Sequence, residues 1–522
     1  MFRLPMPPRS SWILLWVLLT TTVGFSRFIF RDFLLNRIYP SDKSLTRVAI
    51  YGSGAAAAQL AASLRISGSH KILTFLDDNP LNWNRSINGI KIQSPLILDK
   101  ISQNLDQVLL AIPSLSVSNR RRIVANLQRY NLPFLQVPST EALTAGRASI
   151  DMLRPIAIED LLGRDVVFPD KYLSQSVVRG ATVCITGAGG SIGSELCMQI
   201  LHLNPKLVVL LEQSEPSLYK IDQDLRNMFP EADIFSILGS ASDKQLIHQI
   251  FSNYSVDLVF HSAAYKHVPL VELNPLAGLF NNVISTRTVC EAALATGVRQ
   301  VVLISSDKAV RPTNVMGASK RLSELVVQAY ALTDSSTLFS MVRFGNVLDS
   351  SGSVVPLFRK QIAKGGPITL THPDIIRYFM TIPEAAQLVL QATDMAIGGD
   401  VFLLDMGDPI RIKDLAEQMI RLSGLTVRDS LNPLGEIEIK CTGLRPGEKL
   451  FEELLIDADS LETQHPRIFR ACEHSISPDL LFPSLDILEN YLLDHDRSNA
   501  LSLLSLLVPE WQPDMRPTPA NI

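Results

Sequence analysis

Short apolar runs alternating with stretches of helical periodicity organise the chain from residue 47 onward. The run Val183-Cys-Ile leads through Thr186 into Gly187-Ala-Gly-Gly190-Ser-Ile-Gly193, after which Leu196, Ile200 and Leu203 recur at helical spacing. This predicts a buried strand, a glycine turn and a helix. Apolar runs over 207–211, 234–238, 257–260 and 301–305 predict further strands, and a helix is expected over about 281–296, stopped by Gly297. Strands alternating with helices indicate a doubly wound parallel sheet.

A second unit of the same kind precedes it. Arg47-Val-Ala-Ile-Tyr reads as a strand, Gly52-Ser-Gly54-Ala-Ala-Ala57 as a turn into a helix, and 71–76 and 108–112 as further strands. Asp77 stands 25 residues after Gly52, a spacing compatible either with a nucleotide site or with a packing domain that keeps only the fold. Residues 139–180 read as a polar connector with a short helical piece at 158–165.

Residues 10–26 carry no charge, and Phe28, Ile29 and Phe30 extend the apolar stretch towards the roughly 20 residues of a spanning helix. Arg3 and Arg9 precede it, whereas Arg27, Arg31, Arg37, Lys43 and Arg47 follow, which favours a cytoplasmic C-terminal side. A signal peptide is the alternative, but no A-x-A site follows the apolar run. A net charge of −4 leaves no nucleic-acid footprint, and the five cysteines show no metal-ligand or disulfide spacing.

The chemistry sits at predicted strand ends. Gly187, Gly190 and Gly193 let the backbone approach a pyrophosphate at a helix N-terminus, and Glu212, ending the second strand, suits a ribose and favours NAD over NADP. Asp243, after the third strand, faces an adenine amino group, caps a helix, or does both. The fifth strand ends in Ser305-Ser306-Asp307-Lys308. Met316 and Lys320 lie four residues apart, so they share one helical face.

By these residues the chain resembles the extended short-chain dehydrogenase/reductases, with methionine where that superfamily usually has the tyrosine of a Tyr–Lys pair. Gly187-Ala-Gly-Gly-Ser-Ile-Gly, Ala264-Tyr-Lys-His-Val-Pro, Ser306-Asp-Lys-Ala-Val-Arg-Pro-Thr-Asn-Val-Met-Gly-Ala-Ser-Lys, Arg377-Tyr-Phe-Met and Leu444-Arg-Pro-Gly-Glu-Lys narrow the resemblance. They look like the membrane-anchored nucleotide-sugar 4,6-dehydratases of bacterial polysaccharide biosynthesis, the CapD-like family. The likeness runs from about residue 5 to 472 and is most specific over 181–470.

The resemblance implies NAD as cofactor and a UDP-N-acetylhexosamine as substrate. It implies Asp307 as the acid for the C6 hydroxyl, Lys308 as the C5 base, Lys320 at the nicotinamide ribose, and Ser306, Lys308 or a water for the C4 hydroxyl proton. As a base Lys308 must be neutral, and its pKa is expected to fall through burial and nearby positive charge. Ser191, Ile192 and Ala263 join the cofactor site. Lys266, Asn346, Arg377, Arg445 and Glu448 join the substrate site.

The expected organisation is an inner-membrane anchor over 1–40, a first Rossmann-like, CoA-binding-like domain over 47–140 and a connector over 141–180. An NAD-dependent dehydratase domain over 181–475 and a C-terminal tail over 476–522 follow. The protein is expected to be a homo-oligomer with a cytoplasmic catalytic domain.

Two departures from the family stand out. Asp349-Ser-Ser351 replaces Gly-Ser-Arg, and the N-terminus resembles only the last of four spanning helices. The rival readings are a nucleotide-sugar 4-epimerase, which needs no acid–base pair after the fifth strand, and an inactive NAD-binding scaffold.

Overall fold

The computed structural model describes residues 14–23, 26–27, 45–112, 115, 117–130, 132–137, 154–155, 176–333, 336–453, 460–471 and 473–513. Two compact units divide the chain, one reaching residue 156 (apart from 117–121) and one comprising the remainder. Of the expected anchor over 10–30, residues 14–23 and 26–27 are described. Residues 14–23 are helical, and among the described residues no helix is long and apolar enough to cross a membrane. The helical piece expected over 158–165 also lies outside them.

In the first unit β1 (Thr46–Tyr51), α1 (Ala55–Ser67), β2 (His70–Leu76), β3 (Ser86–Ile87), β4 (Ile90–Gln93), β5 (Gln107–Leu110), β6 (Phe134–Gln136) and β7 (Arg154–Pro155) build a sheet of order β3-β4-β2-β1-β5-β6-β7. The five central strands are parallel and the two edge strands antiparallel. Helix α1 buries Ala57, Leu60, Ala61 and Leu64, one stripe at helical spacing.

The second unit begins with β8 (Thr182–Thr186), α2 (Ser191–Leu201), β9 (Leu207–Glu212), α3 (Glu215–Met228), β10 (Ile234–Leu238), α4 (Lys244–Tyr254) and β11 (Leu258–His261). It continues with α5 (Ser285–Thr296), β12 (Gln300–Ile304), α6 (Val315–Ala331), β13 (Leu338–Arg343) and α7 (Val354–Ala363). Next come β14 (Asp400–Leu404), α8 (Ile412–Leu422), β15 (Leu461–Glu462) and β16 (Ile468–Ala471). The sheet runs β10-β9-β8-β11-β12-β13-β14-β16-β15 and is parallel from β10 to β14. Every residue of β8, β12 and β14 is buried, as expected of strands covered by helices on both faces. The order reverses at β8, and clefts open at such a switch point beyond the carboxyl ends of the strands. A smaller lobe follows β13, with α7 and α8 around a core of Val355, Phe358, Leu415, Ile420 and Ile437.

The expected C-terminal tail is in fact part of the main core. Its residues form α9 (Pro478–Leu493) and α10 (Arg497–Leu507), which bury Leu481, Leu485, Leu488, Leu492, Leu504 and Leu507. They pack on α6, whose residues 315–330 are all buried. The leucines at i, i+4, i+7 and i+11 were the signal for this helix.

Candidate active site

A cleft of about 1470 Å³ opens at the carboxyl ends of β8, β9, β11 and β12. Gly187, Gly190, Ser191, Ile192, Gly193, Glu212, Ala263 and Lys320 all line it. Gly187 has φ +68, and a Cβ on Gly193 would lie 2.1 Å from the Gly187 carbonyl oxygen, so the turn closes only with glycine at both places. No side chain caps α2 at Gly190, which leaves its first N–H groups to a phosphate. The Glu212 carboxylate ends β9 and accepts hydrogen bonds from the N–H groups of Gly189 (3.1 Å) and Ser214 (2.9 Å). The donor set and the crowded glycine turn fit a dinucleotide.

Asp243 does not line this cleft. It is exposed and caps α4, accepting from the N–H groups of Gln245 and Leu246 at 3.0 Å each, so of the two readings open from sequence the structure displays the cap. A widened helical turn ahead of α5 places Asn282 where its amide exchanges hydrogen bonds with the backbone of Tyr265 (2.7 and 3.1 Å). That pins the loop carrying Ala263 and Lys266 against the cleft.

Beyond β12 the Asp307 side chain is 3% exposed, and its Oδ1 accepts from Ser306 Oγ at 2.8 Å and Lys308 Nζ at 3.0 Å. Its Oδ2 is buried without a hydrogen-bond partner, the state expected of a group that awaits one. Lys308 Nζ also reaches Asn346 Oδ1 (3.2 Å) and Glu452 (3.5 Å).

The expectation of a neutral Lys308 is corrected here. Burial pulls its pKa down, but the carboxylates of Asp307 and Glu452 together outweigh that and hold it above its ordinary value. Lys320 is held low: burial brings it down to about 8, opposed by Glu324, and burial also lowers Lys266. Lys320 Nζ donates to the Ile304 carbonyl at 2.6 Å. His261 is buried among Thr186, Thr286 and Ser285, and burial pushes it down to about 3, so it is a neutral core histidine. Met316 is buried, packs in the main core and touches the cleft. We therefore expect Met316→Leu, which nearly conserves volume, to keep turnover close to parental in a steady-state assay. Total loss would give the thioether a chemical role.

A second cavity of about 220 Å³ adjoins the pair and is lined by Lys266, Lys308, Arg377, Arg445, Glu448 and Glu452, among others. Arg377, expected to contact phosphate or uridine, spends its guanidinium on the carbonyls of Ile376 (2.8 Å), Lys449 (2.8 Å) and Leu450 (3.3 Å) and on Glu452 (3.1 Å). These contacts tie it to the 448–452 loop. Glu448 accepts from Thr371 Oγ1 (2.9 Å) and the Arg445 N–H (3.1 Å). Asp349, the carboxylate foreign to the family pattern, pairs with Arg359 at 2.8 Å, and the Ser351 N–H donates to Ser191 Oγ at 3.2 Å. Sequence reasoning missed Glu452, because nothing in Phe451-Glu-Glu453 says which carboxylate turns inward.

In the first unit the candidate ribose acid is already engaged. Asp77 accepts from Ser53 Oγ, from Asn82 Nδ2 at 3.2 Å and from the Asn79 N–H at 2.8 Å.

A family described as "Polysaccharide biosynthesis protein" matches residues 183–473. The chain is 38% identical over 491 residues to the capsular polysaccharide biosynthesis protein CapD of Staphylococcus aureus, covering 91% of this chain and 80% of that one. It is 39% identical over 447 residues to the probable polysaccharide biosynthesis protein EpsC of Bacillus subtilis, covering 84% and 73%. Among solved structures, Pen from Bacillus thuringiensis is 31% identical, superposes with a TM-score of 0.51, and is covered over 99% of its length by 61% of this chain.

Proposed function

The chain belongs to the polysaccharide biosynthesis protein family, and from that membership and the site geometry we propose that it is an NAD-dependent nucleotide-sugar 4,6-dehydratase acting on a UDP-N-acetylhexosamine. The observation that carries this reading is the Asp307–Lys308 pair. It stands at the end of β12, with Lys308 lining both the dinucleotide cleft and the adjoining cavity. An epimerase has no use for such a pair.

The C5 proton of a sugar is not acidic until C4 is a ketone. NAD+, when bound, supplies the oxidant for C4 and, once reduced, the reductant for C6. This chain must then provide a base for H5 and an acid for O6 close together. The resting ion pair holds one proton between two groups 3.0 Å apart. Moving it from Lys308 Nζ to Asp307 Oδ1 creates a neutral amine and a carboxylic acid without exchange with solvent, and burial beneath a substrate favours that uncharged form. Lys308 then takes H5 and Asp307 protonates the departing O6, which restores the ion pair. Lys308 later returns a proton to C5. The C4 hydroxyl proton leaves through Ser306 or a water, and the same route returns one proton to Lys308 after C5 is protonated, which restores the resting ion pair and balances the proton that departs in water. Lys320, charged below about pH 8, holds the carbonyl ahead of the pair, and the family resemblance supports assigning it to the nicotinamide ribose.

The uncharged segment 10–26 and the arginines behind it support a place at the cytoplasmic face of a bacterial inner membrane. The test is to incubate the full-length protein with UDP-N-acetylglucosamine in heavy water and follow the product by NMR and mass spectrometry. A 4-keto-6-deoxy product with deuterium at C5 is expected. A C4 epimer without 4-keto product would replace the reading by an epimerase, and bound NAD with no turnover of any nucleotide sugar by a scaffold.

A further inference from the structure

Behind the catalytic strand end lies a buried ionic cluster that the chemistry above does not use. Glu324 on α6 is 0% exposed and Arg343 on β13 is 2% exposed. Glu324 Oε1 accepts from Ser305 Oγ (2.6 Å) and Arg343 Nε (2.7 Å). Its Oε2 accepts from Arg343 Nη2 (2.6 Å) and Arg321 Nη1 (3.2 Å). The C-terminal segment completes the cluster. Glu473 pairs with Arg343 and, at 3.3 Å, with Arg321, while Glu510 (2.9 Å) and the His474 carbonyl (3.0 Å) hold the rest of Arg321.

Burying such a cluster costs desolvation that apolar side chains would avoid, so stability alone does not account for it. Its location does. Met316, Lys320 and Glu324 follow at i, i+4 and i+8 along one face of α6. Lys320 holds the carbonyl of Ile304, and Glu324 holds the hydroxyl of Ser305, the next residue. The helix thus grips two consecutive residues immediately before Ser306-Asp307-Lys308. Resting on the dehydratase reading, we propose that Glu324 is a positioning residue for the Asp307–Lys308 pair. It acts through Ser305 and is itself fixed by Arg343 and Arg321.

The test compares Glu324→Gln and Ser305→Ala with the parent protein, full length, by kcat, KM, NAD affinity, melting temperature and the pH dependence of kcat. Either substitution should lower kcat by about 100-fold, the scale of a small misplacement of a reacting group, with KM and NAD affinity nearly unchanged. The pH profile separates positioning from loss of structure. Lys320 is acted on by Glu324, one turn along its helix, and faces His261 from β11, which burial keeps neutral. Asp307 and Lys308 follow on the loop after β12, and Arg343 and Arg321 stand beside Glu324.

Glu324 raises the Lys320 pKa, so Glu324→Gln should move the alkaline limb of kcat to lower pH. Ser305→Ala leaves that charge in place and should leave the limb where it is. A folded Glu324→Gln protein with parental kcat, or a merely lowered melting temperature, overturns the proposal. Parental kcat in Ser305→Ala overturns the route through Ser305, and decides the matter alone if Glu324→Gln does not fold. Should the parent form no 4-keto product from any nucleotide sugar, the dehydratase reading falls and the positioning role falls with it.

Discussion

Lys308→Ala should leave NAD bound and abolish formation of the 4-keto product. The amine is the one cation within 3.0 Å of buried Asp307 among the described contacts, and it lines both the dinucleotide cleft and the adjoining cavity. Without it no group remains to take H5, and Asp307 has no proton to receive. Loss of a positioned acid–base group costs about 10²–10⁴-fold, and here one substitution disables both members. The glycine turn and Glu212 make no hydrogen bond to Lys308, so an NAD titration should give the parental affinity. A small primary amine added to the assay should restore part of the turnover by filling the vacated place beside Asp307 and Glu452. Melting curves recorded alongside would separate lost chemistry from lost fold, since the substitution strands two buried carboxylates. Near-parental turnover would remove Lys308 from the mechanism.

Gly193→Ala should have its largest effect on the cofactor. A methyl there would sit 2.1 Å from the Gly187 carbonyl oxygen and 2.9 Å from Ser262 Oγ, and the first is backbone that cannot swing aside. The turn must open, carrying the start of α2 away from β8. Strain of this kind costs about 1–3 kcal/mol, and if it falls on the bound state NAD affinity drops by roughly 10- to 100-fold. Fluorescence titration with NAD reads this directly. Unchanged affinity would mean that the pyrophosphate does not approach this turn.

The parts legible in the chain are those whose cause is local. Val183 to Gly193 announces strand, turn and helix because burial needs a continuous apolar run and close backbone approach needs glycine. Met316 and Lys320 were placed on one face by helical spacing alone, and both reach the cleft. The leucines of 481–492 carried the same signal for a helix, yet their burial against α6 depends on a surface that only the folded sheet presents.

The charge state of the centre was not legible. Burial of Lys308 could be anticipated, and by itself it lowers the pKa. The answer turns on Asp307 together with Glu452, the latter brought beside Lys308 by the loop that Arg377 ties together. Asp243 shows the same limit, since an acid after a strand reads equally as ligand or cap until the helix beside it is placed. The sequence by itself determined the tandem α/β architecture and the glycine turn, because these follow from periodicity and from residues adjacent in the chain. Only the tertiary structure decided which carboxylates surround Lys308, that Glu324 grips the strand end, and that the C-terminal helices close over α6. Electrostatics and packing act through space, between residues the chain keeps far apart.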